Sequence, residues 1–356
     1  SRGGGAVRFD RGAPGELRHR DRVDLGAAAE LAERGIELGR RLRCANLEAE
    51  ALQTLGRVRI DQGQPAEGLA LLDEAMLFAL DGRLSPYSTG KVYCSLISAC
   101  EELSDHGRAG EWTEATARWA ERHPFAVFPG LCRVHHATAL QWRGRWQEAE
   151  DEAARACEEL SAINLPNAAT AWAEIGDIRR RLGDLGGAAA AFARADGLCR
   201  RPRAGVALLH LARGDVGLAA SVIAEVLEWA AWNRLARARA LPAQAQIEIA
   251  AGNLDAARAA VDELDAIAAE FGSAGLEASA LTARGRLQLA ERDESACATL
   301  RRAVSRWSDL GVPYEVASAR TLLGQACRDA DDAAGATAAF EDARKLFDDL
   351  GVHLDA

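Results

Sequence analysis

Lysine, methionine and tyrosine are scarce in this chain of 356 residues, and long apolar runs are missing altogether. No run approaches the roughly 18 apolar residues that a membrane-spanning helix requires. Acidic side chains outnumber basic ones, and the net charge of -10 argues against nonspecific binding of nucleic acid. Aromatic residues make up only 5% of the chain while alanine is abundant, which suits closely packed helices.

The eight cysteines are scattered singly, without the density of a small disulfide-rich secreted domain. We therefore expect mostly reduced, buried thiols in a cytoplasmic protein, since the N-terminus also lacks the apolar core of a secretory signal. Catalytic signatures are missing as well, because the chain contains no G-x-S-x-G, H-E-x-x-H or G-x-x-x-x-G-K-[ST] motif. The sequence thus predicts a protein that is not an enzyme and has no cofactor.

Two regions differ in composition. Residues 1–22 are rich in glycine and arginine and lack apolar periodicity, which predicts a disordered tail or the remnant of an expression tag. Residues 23–356 read as one amphipathic helix after another, with prolines mostly at helix starts or between helices. We expect this second region to form a single repeat domain.

One segment, WAEIGDIRRRLGDLGGAAAAFARA at residues 172–195, carries the clearest repeat pattern. It resembles a tetratricopeptide unit, a helical hairpin that stacks on copies of itself. The matching positions are Trp172, Ile175, Gly176, Gly183, Ala188, Phe192 and Ala195, with Pro202 closing the unit. Small residues let the two helices of a hairpin cross closely, and we expect large ones such as Trp172 and Phe192 to fill the space between hairpins.

Weaker copies of this unit recur along the chain. They predict turns between paired helices near residues 63, 105, 144, 183, 214, 252, 292 and 331. Most intervals are about 38–42 residues, longer than the roughly 34 of a standard tetratricopeptide unit. We therefore predict an all-α, right-handed superhelical solenoid of about eight hairpins, preceded by a leading helix near residues 23–43.

The long period and three segments resemble the tetratricopeptide-like sensor region of bacterial, often actinobacterial, LuxR-type and MalT-type transcriptional regulators. Similar regions also follow nucleotide-cyclase domains. The three segments are SPYSTGKVYCSLISACEELSDHGRAGEWTEATARWAERHP at 85–124, LCRVHHATALQWRGRWQEAEDEAARACEEL at 131–160 and VPYEVASARTLLGQACRDADDAAGATAAFEDARKLFDDLG at 312–351.

The resemblance implies a segment that binds a peptide, a protein or a small-molecule effector. Such regulators also carry an ATP-binding module and a DNA-binding helix-turn-helix, and neither can be assigned to residues of this chain. We therefore expect no direct nucleic-acid binding and no membrane association, with a homodimer as one possible assembly. The alternatives are a stand-alone scaffold or oligomerisation module, and a metal- or cofactor-binding protein or enzyme that uses the Cys/His region at residues 94–136.

In tetratricopeptide arrays the first helix of each hairpin lines a concave groove. The glycine positions predict a mixed polar, arginine-rich groove suited to extended peptides or acidic ligands, unless these side chains are simply exposed to solvent. The predicted groove residues are Gln53, Arg57, Asp177, Arg180, Gln246, Arg286, Thr321, Gln325 and Arg328.

Two other groups of residues have a functional and a structural interpretation. Cys132 and His135 share a helix face and, with Cys94 or Cys100, offer the ligands of a zinc site, although they can equally be packing residues. Arginine runs at 40–43, 179–181 and 200–203 suit phosphate or acidic peptides, but arginines that end helices are the simpler interpretation. Most tryptophans are expected to be core residues, whereas Trp142 and Trp146 flank a turn and are candidates for stacking on a ligand.

Overall fold

The computed structural model describes residues 24–122 and 129–352, and within these ranges the chain is all helical, with no β-strand. The predicted tail at residues 1–22 lies outside the described residues. The helices are α1 (Leu25–Leu42), α2 (Ala45–Asp61), α3 (Pro65–Leu80), α4 (Pro86–Glu102), α5 (His106–Arg122), α6 (Pro129–Trp142), α7 (Trp146–Leu160), α8 (Leu165–Arg181), α9 (Leu185–Leu198), α10 (Ala204–Ala212), α11 (Val216–Trp229), α12 (Arg234–Ala250), α13 (Leu254–Phe271), α14 (Ala274–Glu291), α15 (Ala296–Leu310), α16 (Pro313–Asp329) and α17 (Ala333–Asp349).

Helix α1 is the expected leading helix, and α2 to α17 pair in sequence as eight hairpins. The predicted solenoid of helical hairpins is therefore confirmed. The one short interval in the repeat, between the turns near 183 and 214, coincides with α10, which has only 9 residues. None of the described helices is long and apolar enough to cross a membrane.

Each hairpin turn contains a residue in the left-handed backbone region, which lets the chain reverse immediately after a helix. Glycine supplies this conformation in five of the turns, for example Gly63 with φ +79° and Gly183 with φ +92°. Ser104, Arg292 and Asp331 supply it in the other three, although a side chain makes this region less favourable. The turn positions read from the sequence thus correspond to a defined backbone conformation.

Small residues set the closeness of the helix crossings. A Cβ on Gly56 would lie 2.7 Å from the carbonyl oxygen of Gly68, so α2 and α3 touch through their backbones. In the fourth hairpin the Phe192 ring covers Gly176 and also meets Gly205 of the next hairpin. Phe192 therefore fills the crossing of its own hairpin as well as the space between hairpins, which extends the role expected from the sequence.

First helices of neighbouring hairpins contact one another along the array, from α2 and α4 through to α14 and α16. They therefore form the inner, concave wall of the solenoid.

The second half of the array returns along the first half, which the repeat pattern does not predict. The starts of α12, α14 and α16 meet the hairpin turns that follow α2, α4, α6 and α8, and we call this contact the inter-row interface. Asn233 donates to Asp61 at 3.1 Å, and the Ser273 hydroxyl donates to the Leu103 carbonyl. One continuous cluster of buried apolar side chains joins α1–α5 to α10–α14, so the two halves share a core.

Aromatic and charged side chains extend the inter-row interface towards the C-terminus. The Arg181 guanidinium donates to Glu315 at 2.8 Å and lies over the Tyr314 ring at 4.6 Å. Tyr314 also meets Trp146 edge-on, with the ring centroids 5.7 Å apart. The Leu350 side chain occupies the place where a Cβ on Gly144 would lie. The superhelix is therefore closed by contacts between residues far apart in sequence.

Candidate ligand-binding groove

Four of the nine predicted groove residues lie around one cavity of about 510 Å³. Gln246 comes from α12, Arg286 from α14, and Gln325 and Arg328 from α16, all in the C-terminal halves of first helices. We call this space the groove cavity. Its remaining wall is formed by Leu211, Ile249, Ala250, Leu289, Ala290, Leu322 and Asp329.

The groove cavity combines two guanidinium groups, two amides and apolar side chains with one carboxylate, that of Asp329. Guanidinium groups bind carboxylates through paired N–H donors, and an amide side chain both donates and accepts as a peptide bond does. The leucine and isoleucine side chains provide the apolar surface that most ligand sites contain. The arrangement is therefore suited to a ligand with a carboxylate and an amide backbone.

Arg286 carries an unneutralised positive charge in this cavity. Among the described residues its side chain has no hydrogen-bond partner, and no carboxylate oxygen lies within 4.0 Å of its guanidinium. Burial lowers the pKa of Arg286, and the more distant Glu315 and Tyr314 only partly oppose this. A guanidinium that is desolvated but not paired gains most from an anionic ligand.

Arg328, which is exposed, also has no carboxylate partner among the described residues. Its guanidinium lies 5.7 Å from the centroid of the Phe340 ring, and no described carboxylate oxygen is within 4.0 Å of it. The groove cavity therefore contains two arginines that have no carboxylate partner within 4.0 Å among the described residues.

The other predicted groove residues do not line this cavity. Arg57 is bound by Glu102, with Nη2 2.6 Å from Oε2, and Arg180 lies 3.2 Å from Asp177. Thr321 donates to the carbonyl of Ala317 on its own helix. These contacts neutralise Arg57 and Arg180, so the two are less available to a ligand than the sequence suggests.

Gln53 is the remaining predicted groove residue. Its side chain is buried on α2, with 7% of the residue exposed, and Oε1 has no hydrogen-bond partner among the described residues.

Sequence reasoning missed an acidic region on the first helices of the earlier hairpins. Glu101 on α4 accepts from His135 on α6 at 3.0 Å, although burial disfavours the imidazolium, and the pair raises the pKa of His135. Glu174 on α8 accepts from Gln141 at 3.4 Å. The signal available in the sequence was the position of Glu174, one helical turn before the predicted groove residue Asp177.

Glu174 has no cationic partner within 4.0 Å among the described residues. Burial raises its pKa to about 7, and the charges of Asp177 and Glu101 act in the same direction. Arg239 on α12 lies near enough to oppose this shift electrostatically. In the described part of the chain, the first helices thus carry one carboxyl group without a cationic partner, on α8, and two guanidinium groups without a carboxylate partner, on α14 and α16.

The structure does not support the zinc site. Cys94 and Cys132 are close, with Sγ atoms 4.0 Å apart, but His135 turns its ring nitrogens to Glu101 and Ser98. No group of three His, Cys, Asp or Glu side chains among the described residues is placed to hold a metal ion. All eight cysteines are free thiols, and five of them are buried.

The arginine run at 179–181 is engaged within the protein, as Arg179 lies 2.5 Å from Glu150 and Arg181 pairs with Glu315. Two tryptophans also pack within the protein. Trp142 contacts His106, and Trp146 contacts Tyr314 in the inter-row interface. Contacts within the protein therefore explain the positions of these arginines and tryptophans better than binding of an anionic ligand or stacking on one.

Comparison with known proteins adds support for the fold. No family model and no curated protein matches the sequence. Among solved structures, a Rap protein complexed with Competence and Sporulation Factor has a TM-score of 0.61 at 12% identity, with 92% of this chain and 98% of that chain covered.

Two weaker neighbours contain tetratricopeptide repeats by name. A tetratricopeptide repeat protein from Parabacteroides merdae has a TM-score of 0.43 at 15% identity and covers 78% of this chain and 98% of its own. A signal transduction ATPase with a tetratricopeptide repeat sensor, from Pyrococcus horikoshii, has a TM-score of 0.36 at 13% identity, over 92% of this chain and 47% of that one. The described residues form an all-α solenoid of helical hairpins, and the likeness to the Rap structure supports that fold. Sequence identities this low support a statement about the fold and none about function.

Proposed function

We propose that this solenoid is a non-enzymatic sensor that binds an effector on its concave face, with the groove cavity as the site. The observation that carries the proposal is the pair of guanidinium groups, Arg286 and Arg328, that line the cavity and have no carboxylate partner within 4.0 Å in the part of the chain that the structure describes. The effector class is a peptide or other ligand with an anionic group. Concave solenoid surfaces are commonly binding surfaces, which fits this assignment.

The proposed context is a bacterial, cytoplasmic transcriptional regulator in which binding changes the curvature of the array. This part rests on the likeness of residues 85–124, 131–160 and 312–351 to regulator sensor regions. A ligand shifts the conformation of such an array only as far as it binds one curvature better than another. The reading frame around this chain tests the context, because ATP-binding and helix-turn-helix segments are expected to flank it.

Thermal unfolding of the full chain tests the binding role. Pools of peptides, acidic metabolites and neutral metabolites are added, and a true effector raises the melting temperature by mass action. We expect the combined change Arg286→Gln and Arg328→Gln to weaken binding of that effector at least tenfold, because charged hydrogen bonds contribute about 1.5–3 kcal/mol each. The matched control is Arg344→Gln on α17, an exposed position outside the cavity.

Two results would contradict the proposal. Unchanged affinity in the doubly changed protein would place binding outside the groove cavity. Absence of any melting shift, together with co-purification of a partner protein, would favour the stand-alone scaffold instead. A homodimer remains a prediction that light scattering of the same samples tests.

A further inference from the structure

Two pairs of cysteines lie with their sulfur atoms almost in contact. The Sγ atoms of Cys297 on α15 and Cys327 on α16 are 3.9 Å apart. Those of Cys94 on α4 and Cys132 on α6 are 4.0 Å apart. All four are free thiols, and a disulfide would need each pair to close to about 2.05 Å, which is a short movement.

Access from solvent distinguishes the two pairs. Cys297 is partly exposed and lines a cavity of about 360 Å³ between the start of α15 and the end of α16, which we call the thiol cavity. Its partner Cys327 is buried, with 1% of the residue exposed. Cys94 and Cys132 are both buried, each with 8% of the residue exposed. A reagent in solvent therefore reaches Cys297 more readily than either thiol of the other pair.

The surroundings of the exposed pair make Cys297 the first nucleophile. Burial raises the pKa of the Cys327 thiol, and its hydrogen bond with Cys297 acts in the same direction, so Cys327 keeps its proton. A thiolate at Cys297 is stabilised when the neighbouring S–H donates to it. Nη2 of Arg301 lies 4.0 Å from Cys327 Sγ, and its charge stabilises that sulfur when it becomes a thiolate in turn.

The wall of the thiol cavity favours an uncharged oxidant. The carboxylates of Asp293, Glu294 and Asp329 line it together with one guanidinium, that of Arg292. This negative balance disfavours an anion such as glutathione disulfide. Hydrogen peroxide carries no charge and is small enough for the cavity.

We propose that Cys297 and Cys327 form a reversible redox modification site that a peroxide oxidises to an intramolecular disulfide. The Cys297 thiolate attacks one peroxide oxygen, the O–O bond breaks, and Cys297 becomes a sulfenic acid while the other oxygen leaves and is protonated to water. The Cys327 thiolate then attacks the sulfenic sulfur, so that an S–S bond forms and the S–O bond breaks, with hydroxide leaving as a second water. Two thiols and one hydrogen peroxide thus give one disulfide and two waters, and a low-molecular-weight thiol reverses the reaction by exchange.

The bond joins the seventh hairpin to the eighth. Cys297 is the second residue of α15, and Cys327 lies in the last turn of α16. The thiol cavity shares Leu289 and Asp329 with the groove cavity, so the bond forms beside the proposed binding site, although its formation requires no effector. Oxidation therefore adds a covalent tie between two hairpins that noncovalent contacts otherwise hold together.

Peptide mapping of the oxidised full chain tests the site. The reduced chain is exposed to hydrogen peroxide, alkylated to block the remaining thiols, and digested with trypsin without reduction. Mass spectrometry is expected to find residues 293–301 linked to residues 321–328, the tryptic peptides that contain the two cysteines, and dithiothreitol should restore both thiols. The buried pair of Cys94 and Cys132 is the internal control and should close about tenfold more slowly or less, because oxidation follows exposure. Equal rates for the two pairs, or oxidation without the expected link, would overturn the proposal.

Two variants assign the order of the steps. In Cys327→Ser the sulfenic acid of Cys297 should persist and be trapped by dimedone, because the thiol that closes the bond is gone. In Cys297→Ser the peptide 321–328 should carry no dimedone adduct. Cys199→Ser removes another partly exposed thiol and should leave formation of the disulfide unchanged, and circular dichroism verifies the fold of every variant. Labelling of Cys297 no stronger than that of Cys199 in Cys327→Ser would contradict Cys297 as the reactive thiol.

A second oxidant tests the class of reagent. Glutathione disulfide forms a mixed disulfide at Cys297 before Cys327 closes the bond. Each rate of closure is divided by the rate at which the same reagent modifies Cys44, an exposed thiol. The normalised rate should be higher for hydrogen peroxide, and a higher value for glutathione disulfide would overturn the assignment of a peroxide as the oxidant.

Discussion

Glu174 is a carboxyl group whose protonation is coupled to folding. Burial raises its pKa to about 7 from an ordinary value of 4.5, with help from Asp177 and Glu101. Between these two pH values the folded chain holds a proton that the unfolded chain releases. The contribution of Glu174 to the free energy of unfolding therefore falls as the pH rises from 4.5 to 7.

Replacing Glu174 by glutamine removes this penalty, because an amide does not ionise. We expect Glu174→Gln to increase the free energy of unfolding by about 3 kcal/mol at pH 8 and to change it little at pH 4, since each pKa unit corresponds to about 1.4 kcal/mol. Urea unfolding at pH 4, 6 and 8 measures the difference, with Glu341→Gln as the exposed control. An equal gain at pH 4 and pH 8 would rule out titration as its origin.

At the scale of helices, two glycines in equivalent positions have different surroundings. Gly275 and Gly217 are each the second residue of a helix, α14 and α11 respectively. A Cβ on Gly275 would collide with the carbonyl oxygen of Ser104 across the inter-row interface, whereas a Cβ on Gly217 would meet nothing within 4 Å. The start of α14 therefore approaches another backbone closely, and the start of α11 does not.

This pair makes a matched prediction. We expect Gly275→Ala to lower the free energy of unfolding by about 1–3 kcal/mol, as overpacking does. Gly217→Ala should raise it by about 0.4–1 kcal/mol, because alanine restricts the unfolded chain. Urea unfolding of both variants provides the measurement, and a loss of stability in both would show that space at the inter-row interface is not the cause.

At the scale of the whole molecule, the inter-row interface changes how the array is expected to unfold. In an open solenoid each repeat contacts only its neighbours, and stability is a sum of local terms. Here Asn233, Ser273 and Glu315 bind residues 134 to 172 positions away in the sequence. These contacts couple distant hairpins, so the wild-type chain should unfold in a single cooperative transition.

Weakening the inter-row interface should uncouple the two halves. The combined change Gly144→Ala and Gly275→Ala places methyl groups against residue 350 and Ser104. We expect its urea unfolding to separate into two transitions and its radius of gyration, measured by small-angle scattering, to increase. The control combines Gly252→Ala, which has a φ of +77° close to the +74° of Gly144, with Gly217→Ala, and neither methyl group would meet another atom within 4 Å. Two transitions in the control would attribute the effect to backbone strain alone.

The sequence by itself determined the helices, the hairpins and their turns. These follow from local rules: apolar residues on one face of each helix, small residues at crossings, and a left-handed residue such as Gly183 or Gly252 in each turn. Local rules also predicted Gln246, Arg286, Gln325 and Arg328 for the concave face, because first helices of successive hairpins repeat the same orientation, and these four side chains line one cavity.

Only the tertiary structure decided which of those side chains remain available to a ligand. Arg57 is neutralised by Glu102, 45 residues later, whereas Arg286 meets no carboxylate within 4.0 Å among the described residues. The tertiary structure likewise closed the superhelix, through Arg181 and Glu315 among others. The physical reason is the same for both. Charge pairing and inter-row packing join residues that are far apart in sequence, and the repeat pattern does not show which of them meet.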